Sequence, residues 1–163
     1  MVTVMGIDPG LAETGIGVVS GSALNVADYS FGHIRTSKDL STPARLHLIH
    51  SRISEAIAIK KPDMLVVEDV FSLERYPKSG IILGKVVGVI LLAGCNAGIP
   101  VTEVPVREAK KILSGNGNAS KAQLERSVRD FLKHREPIRP DHASDALALA
   151  LIGLFRHNPR HIR

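Results

Sequence analysis

The alternation of apolar and polar positions predicts three strands at the start of the chain. The first, Val2–Asp8, is apolar and stops at a Pro-Gly turn signal. Two further runs, Thr14–Ser20 and Leu24–Thr36, follow it, and Gly32 predicts a bend in the second of these. Gly21-Ser22 lies between them as a hairpin signal, so we expect the two strands to be antiparallel neighbours.

Helices and strands are predicted to alternate in the rest of the chain. Thr42-Pro43 is typical of a helix start, with Thr42 as the N-cap, and an apolar stripe continues as far as Lys60. The continuous apolar run Met64–Val67 predicts a strand covered on both faces, and it ends at Glu68. The further predicted elements are a helix over about Ser79–Ala97, a strand over Ile99–Val104, a helix from Pro105 to about Leu113, a helix from Ser120 with the stripe Leu124, Val128 and Phe131, and a last helix from Asp141 to about Phe155. We expect one α/β domain over residues 1–156 and a basic flexible tail over 157–163.

Composition narrows the class of protein. Hydrophobic residues make up 44% and charged residues 23% of the 163 positions, as in ordinary globular domains. The longest uncharged apolar runs, Val86–Cys95 and Ala146–Phe155, are shorter than the roughly 18 residues of a membrane span, so we expect no membrane association. The single cysteine, Cys95, has apolar neighbours and predicts a buried thiol in a reducing, cytoplasmic location. The formal charge of +5 favours a polyanionic partner.

Candidate chemistry lies where acidic side chains meet apolar elements. Asp8 and Glu68 each end a predicted buried strand, and the last helix begins Asp141-His142-Ala143-Ser144-Asp145. Asp145 shares a helix face with Asp141 and His142. Carboxylates that converge in this way need a counterion, and hard divalent cations such as Mg²⁺ prefer oxygen ligands. A pair of such ions is typical of phosphodiester hydrolysis.

Each of these residues also has a purely structural interpretation. Glu68 precedes another acid, Asp69, and we expect one of the two to be a solvated loop residue. An aspartate before Pro-Gly, as at Asp8, is often only a turn former. Asp141 follows a proline and is a natural helix N-cap, which is the interpretation we prefer for it. His142 in a first helical turn is typical of a surface group. Asp145 is the hardest to explain structurally, because it opens an apolar run and needs a partner if it is buried.

Motifs spread over nearly the whole chain carry a family resemblance. They are Gly6-Ile7-Asp8-Pro9-Gly10 followed by Thr14-Gly15 and Gly17, Glu68 with Val70-Phe71, Asp145-Ala146-Leu147-Ala148, and the landmarks Leu83-Gly84, Gly88, Pro100-Val101, Lys110 and Lys121. With them the chain resembles the RuvC family of bacterial Holliday junction resolvases, in the ribonuclease H-like superfamily. The resemblance implies a five-stranded mixed sheet with helices on both faces. It also implies a homodimer that acts in recombination and repair with the branch-migration proteins RuvA and RuvB, cutting opposed strands of a four-way DNA junction to leave 5′-phosphate ends.

The resemblance also assigns the candidate site. It places two Mg²⁺ ions, with Mn²⁺ as a substitute, on the catalytic residues Asp8, Glu68, His142 and Asp145. His142 stands where many members of the family have aspartate. Because a neutral imidazole is softer than a carboxylate, we expect Mn²⁺ to support activity at least as well as Mg²⁺.

DNA contacts follow from the same resemblance. Phe71 is expected to stack as a wedge on a base at the junction centre. Lys110 and Lys121 are expected near the scissile phosphates, and the helix from about Ser79 resembles the family's dimer-forming helix. Weaker DNA-contact candidates, chosen by loop position and proximity, are Arg75, Lys78, Arg107 and Lys111.

Two other functions remain open from the sequence. Actin-like sugar kinases and ATPases share the superfamily, but here Thr14 comes too late after Asp8 for their phosphate loop, and 163 residues are too few for two lobes. A non-catalytic junction-binding module is the second alternative. Retention of all the acidic positions in one chain argues against it.

Overall fold

The computed structural model describes residues 1–22, 24–69 and 77–157. In chain order its elements are β1 (Val2–Asp8), β2 (Glu13–Ser22), β3 (Asn25–Arg35), α1 (Thr42–Lys60), β4 (Met64–Glu68), α2 (Pro77–Asn96), β5 (Val101–Val104), α3 (Val106–Ser114), α4 (Lys121–Leu132) and α5 (Asp141–Arg156). Each predicted strand and helix has its counterpart in this series. The predicted division into one domain over 1–156 and a flexible tail stays a prediction, and residues 158–163 of that tail lie outside the described part of the chain.

The five strands form one mixed sheet in the order β3-β2-β1-β4-β5. β1 is antiparallel to β2, and β2 to β3, as the hairpin signal predicts, whereas β1, β4 and β5 run parallel. The parallel register pairs Ile7 with Val67, so the next residues, Asp8 and Glu68, lie at the same edge of the sheet. We call this edge, where β1, β4 and β5 end and β2 begins, the carboxyl edge.

Helices cover both faces of the sheet, as predicted. On one face, Ile49 and Ile53 of α1 and Ile90 of α2 pack with Met5 and Leu65. On the other face the helices α3, α4 and α5 form a second core, whose buried members include Ala109, Leu124, Val128, Leu147 and Leu151 with Val4 and Val66 of the sheet. α5 is buried nearly all round, which is the position that its continuous apolar sequence predicts.

Glycines of β1 and β2 allow α5 to lie directly on the sheet. A Cβ atom built on Gly17 would lie 2.5 Å from the backbone nitrogen of Leu147. A Cβ atom on Gly15 would overlap the carbonyl oxygen of His142, and one on Gly6 would overlap that of Ala146. The missing side chains therefore bring the first turns of α5 against the strands that carry Asp8.

Helix α2 has one buried and one exposed apolar face. By length and apolar composition alone, its segment Lys78–Asn96 is the one described helix suited to crossing a membrane. Val86 and Ile90 are fully buried, as in a core helix, whereas Ile81 and Leu92 are 63% and 52% exposed. The second face therefore lacks a partner within the described part of the protomer.

Several local predictions are wrong. Ser41, not Thr42, caps α1, because the Ser41 hydroxyl accepts the N–H of Ala44. Asp141 is the first residue of α5 and not its cap, which is Pro140. In α4, Leu132 is buried where Phe131 was predicted, and the Phe131 ring is 38% exposed.

The predicted burial of Cys95 is also wrong. Its side chain is exposed near the end of α2. Cys95 lies one helical turn after Leu92, on the same exposed apolar face of α2. Apolar neighbours in the sequence did not predict burial here, because that face of α2 is exposed in the protomer.

Candidate active site

Three carboxylates meet at the carboxyl edge, one from each of three elements. Asp8 ends β1 and is only 5% exposed, Glu68 ends the neighbouring strand β4, and Asp145 lies one turn into α5. Burial, followed by the nearby Asp8 carboxylate and then Asp145, raises the pKa of Glu68 to about 8. Burial and the charge of Asp8 likewise raise the pKa of Asp145. The tertiary structure therefore places three mutually repelling acids in one partly buried cluster.

His142 lies against this cluster. Its Nδ1 is 2.5 Å from Oδ2 of Asp8, an atom that can only accept when the aspartate is ionised, so Nδ1 carries the proton and donates. This hydrogen bond is the main cause that raises the pKa of His142, although burial of the ring opposes the shift. Asp141, one residue earlier, pairs instead with Arg139. Of these two neighbours, His142 is thus the one that joins the acid cluster.

Lys121 places a positive charge beside the acids. Its Nζ lies 3.4 Å from Oδ2 of Asp145. Burial opposes the charged ammonium, but the Asp145 carboxylate outweighs it and raises the pKa of Lys121. Lys121 is the first residue of α4, whose start is fixed by a capping box between Ser120 and Gln123, as the sequence predicts.

The other predicted site residues are more distant or not described. Lys110, Lys111 and Arg107 lie on α3, which follows β5 at the carboxyl edge, and no contact joins them to the acid cluster among the described residues. Lys78 is exposed in the first turn of α2. Phe71 and Arg75 lie outside the described residues, so their predicted roles stay predictions.

The residues after Asp8 are held in place by a threonine that the sequence pattern does not single out as functional. Thr14 is fully buried, and its hydroxyl donates to the carbonyl oxygen of Gly10 at 2.7 Å. The backbone N–H of Gly10 points to the same hydroxyl at 3.4 Å. This pairing closes the turn between β1 and β2 and therefore fixes the end of the strand from which Asp8 projects.

The carboxylates and the imidazole are suitable ligands for a divalent cation. In this structure, however, two of the carboxylates are bonded to other side chains and the site is not preassembled. Asp8 is hydrogen-bonded to His142, and Asp145 is paired with Lys121. Among residues 1–22, 24–69 and 77–157, no three His, Cys, Asp or Glu side chains already stand together as metal ligands. Burial and the nearby acids nevertheless raise the pKa of Glu68, so the ionised form of the cluster lacks a full set of counter-charges and solvent.

Fold and site together define a class. Carboxylates from two adjacent strand ends of this five-stranded mixed sheet, completed by the first turns of a helix packed on it, are the arrangement of a ribonuclease H-like nuclease. The profile of the family described as "Crossover junction endodeoxyribonuclease RuvC" matches residues 4–153. The chain belongs to the RuvC family and is a Holliday junction resolvase.

Individual relatives agree with this assignment. The crossover junction endodeoxyribonuclease RuvC of Rhodopirellula baltica is 34% identical over 155 residues, which are 95% of this chain and 87% of the relative. That of Syntrophomonas wolfei is 38% identical over 94% of this chain and 89% of the relative. RuvC of T. thermophilus, solved in complex with a Holliday junction substrate, has a TM-score of 0.88 and 33% identity, covering 95% of this chain and 94% of that one. The yeast mitochondrial Holliday junction resolvase, at 13% identity and a TM-score of 0.62 over 94% of this chain and 77% of that one, shares the fold.

Proposed function

We propose that Asp8, Glu68, Asp145 and His142 hold two divalent ions, Mg²⁺ or Mn²⁺, and that junction phosphodiesters are hydrolysed at this cluster. The observation that carries the proposal is the placement of Asp8 and Glu68 at adjacent strand ends with Asp145 of α5 beside them, and burial next to these acids raises the pKa of Glu68. Bound divalent ions supply a nucleophile at neutral pH and neutralise charge on the phosphate oxygens. Two protomers acting on opposed strands leave 5′-phosphate ends that can be religated.

The protein side chains contribute binding and orientation. The imidazole of His142 holds the Asp8 carboxylate in one orientation through the Nδ1 hydrogen bond. The ammonium of Lys121, on the solvent side of Asp145, is placed to attract a phosphate oxygen of the cleaved strand. His142 thus fixes the Asp8 carboxylate, and Lys121 fixes the phosphate, at the carboxyl edge before the reaction.

Basic residues of α3 extend this surface. Arg107, Lys110 and Lys111 follow β5 at the carboxyl edge, and we assign them to phosphate contacts along the junction arms. Lys78 is assigned likewise at the start of α2. We assign Phe71 to stacking on a base at the junction centre and Arg75 to a contact with the DNA backbone.

A homodimer is part of the proposal. Ile81 and Leu92 form an exposed apolar stripe on α2. Gly84 and Gly88 lie in open space, since a Cβ atom built on either would meet no other atom within 4 Å. Exposed apolar area of this kind, next to small residues, favours close packing of a second helix. A second copy of α2 would cover the apolar stripe and pack against the small residues. We also propose that the dimer works with RuvA and RuvB in the cytoplasm.

The substitution Asp8→Asn tests the catalytic assignment. We expect the variant to bind a synthetic four-way junction with wild-type affinity in chelator, and to lose cleavage in Mg²⁺ and Mn²⁺, because the amide keeps the shape of Asp8 but not its charge. The matched control is Asp28→Asn on the exposed part of β3, which should cleave normally. Cleavage by Asp8→Asn, or a parallel loss of junction binding, would contradict the assignment.

A further inference from the structure

Residues 9–12, which we call the β1–β2 loop, follow Asp8 directly and are held by Thr36, which lies between β3 and α1. Thr36 is buried after the end of β3, and its hydroxyl donates to the carbonyl oxygen of Leu11 at 2.5 Å. Its backbone N–H donates to the carbonyl oxygen of Ala12 at 3.1 Å. Two successive carbonyl groups of this loop are therefore fixed by one threonine.

Arg45 in turn fixes that threonine. Its Nε donates to the Thr36 hydroxyl at 2.7 Å, and the side chain lies half-buried in the first turns of α1. A continuous chain of hydrogen bonds thus runs from the guanidinium through Thr36 to Leu11, three residues beyond Asp8. Only one of the three guanidinium nitrogens is used in it, and within the described part of the chain the two terminal nitrogens have no hydrogen-bond partner.

The hydrogen bond to Thr36 holds the Arg45 guanidinium close to the carboxyl edge. The β1–β2 loop lies at the carboxyl edge, because it joins the end of β1 to the start of β2. α1 begins just after β3, whose last residue, Arg35, pairs with Glu13 at that same edge. A DNA strand bound with its scissile phosphate at Asp8 would have neighbouring phosphates close to this edge, and a guanidinium fork is suited to binding their oxygens.

We propose that Arg45 is a positioning residue of the resolvase, which binds a phosphate of the cleaved strand with its terminal nitrogens while its Nε fixes the loop after Asp8. Phosphate binding and placement of the Asp8 carboxylate are then coupled through a single side chain. The inference rests on the proposed assignment of Asp8 to the cleavage site. It adds a residue outside the acid cluster and outside the lysines and arginines predicted from the sequence.

Three variants and one control separate the two roles of the side chain. Arg45→Met removes both, and Arg45→Lys keeps the charge without the fork. Thr36→Val removes the hydroxyl that joins the guanidinium to Leu11 and leaves the charge of Arg45 in place. The control, Arg52→Met, removes an exposed positive charge seven residues, about two turns, further along α1, where the guanidinium pairs with Glu55. Thermal unfolding of each variant establishes that it is folded at the assay temperature.

Two measurements on a synthetic four-way junction give the readouts. Junction affinity in chelator is measured over a salt series, and the cleavage rate is measured in single turnovers with saturating protein and Mn²⁺. Arg45→Met should reduce the slope of log affinity against log salt by about 0.9, which corresponds to one phosphate contact. It should also slow cleavage about tenfold to hundredfold, because a small displacement of a reacting group has an effect of this size.

The other variants should separate the effect on the salt slope from the effect on the cleavage rate. Thr36→Val and Arg45→Lys should keep the wild-type salt slope yet cleave as slowly as Arg45→Met, while Arg52→Met should cleave like wild type. A wild-type slope in Arg45→Met, or wild-type cleavage by Arg45→Lys, would overturn the inference. If Asp8→Asn is inactive and Arg45→Met matches Arg52→Met, only this inference has failed, whereas cleavage by Asp8→Asn means that the proposed function itself has failed.

Discussion

Glu68 shows how strongly single residues depend on their neighbours in this protein. Its carboxyl group has a pKa of about 8 instead of the ordinary 4.5, first because it is buried and then because Asp8 and Asp145 are close. A raised pKa in an acid means that folding disfavours the ionised form. The metal-free protein therefore loses stability as the pH rises from about 4.5 through 8, and the loss is complete above that range.

Glu68→Gln should therefore stabilise the metal-free protein. At pH 9 in chelator, which is above the pKa of Glu68 in the wild type, we expect the Tm of the variant to be higher by roughly 2–4 °C for each kcal/mol of repulsion removed. Mg²⁺, which should raise the Tm of the wild type, should not raise that of the variant. Calorimetry of both proteins, with Asp28→Asn as the surface control, measures this, and a lower Tm for Glu68→Gln in chelator would contradict it.

His142 is the residue that sets the metal preference in our proposal. His142→Ala should lose most of its cleavage activity in either metal, since it removes a ligand and the hydrogen bond that orients Asp8. His142→Asp should restore activity with a shift towards Mg²⁺, because a carboxylate is the harder ligand. Cleavage rates in matched Mg²⁺ and Mn²⁺ series check both results. Comparable activity of His142→Ala and wild type would mean that His142 is no ligand.

At the scale of elements, the distance between α5 and the sheet decides whether the site exists. Asp145 and His142 reach Asp8 because glycines of β1 and β2 let the helix backbone approach the strands without intervening side chains. α5 thus contributes both the buried core residues and two side chains of the site. Its packing and its chemistry cannot be altered independently.

Gly15→Ala should disrupt both. The new methyl group would overlap the carbonyl oxygen of His142, so we expect a loss of about 1–3 kcal/mol in the free energy of unfolding, together with slower cleavage. Gly32→Ala is the matched control on the neighbouring strand, because its Cβ atom would meet nothing within 4 Å. Denaturant unfolding of the two variants compares them. Equal stabilities would show that α5 has room to move away.

At the scale of the whole molecule, the exposed apolar face of α2 predicts the position of the dimer interface. Replacing Ile81 and Leu92 together by Asp should raise the dimer dissociation constant by roughly hundredfold or more, because a two-fold interface contains each position twice. Sedimentation over a concentration series measures the constant. Ile59→Asp, a 69% exposed position on α1, is the control that should leave it unchanged. An unchanged constant in the α2 variant would place the dimer interface elsewhere.

Local regularities made most of the fold predictable. The period of the apolar residues located every strand and helix, and the capping box at Ser120 fixed the start of α4. Errors arose where two positions fit one pattern equally well. Phe131 and Leu132 both continue the stripe of Leu124 and Val128, and only the position of the neighbouring helix decides which of them is buried.

The sequence by itself determined the elements and the identity of the acids at the strand ends, because these follow from periodicity and from residue type, and the family resemblance added the mixed sheet. Only the tertiary structure decided which groups meet. His142 and Asp8 are 134 residues apart and Lys121 and Asp145 are 24 apart, yet each pair is in contact. The link from Arg45 through Thr36 to Leu11 joins three segments in the same way. Such contacts depend on the packing of whole elements, which local sequence patterns do not predict.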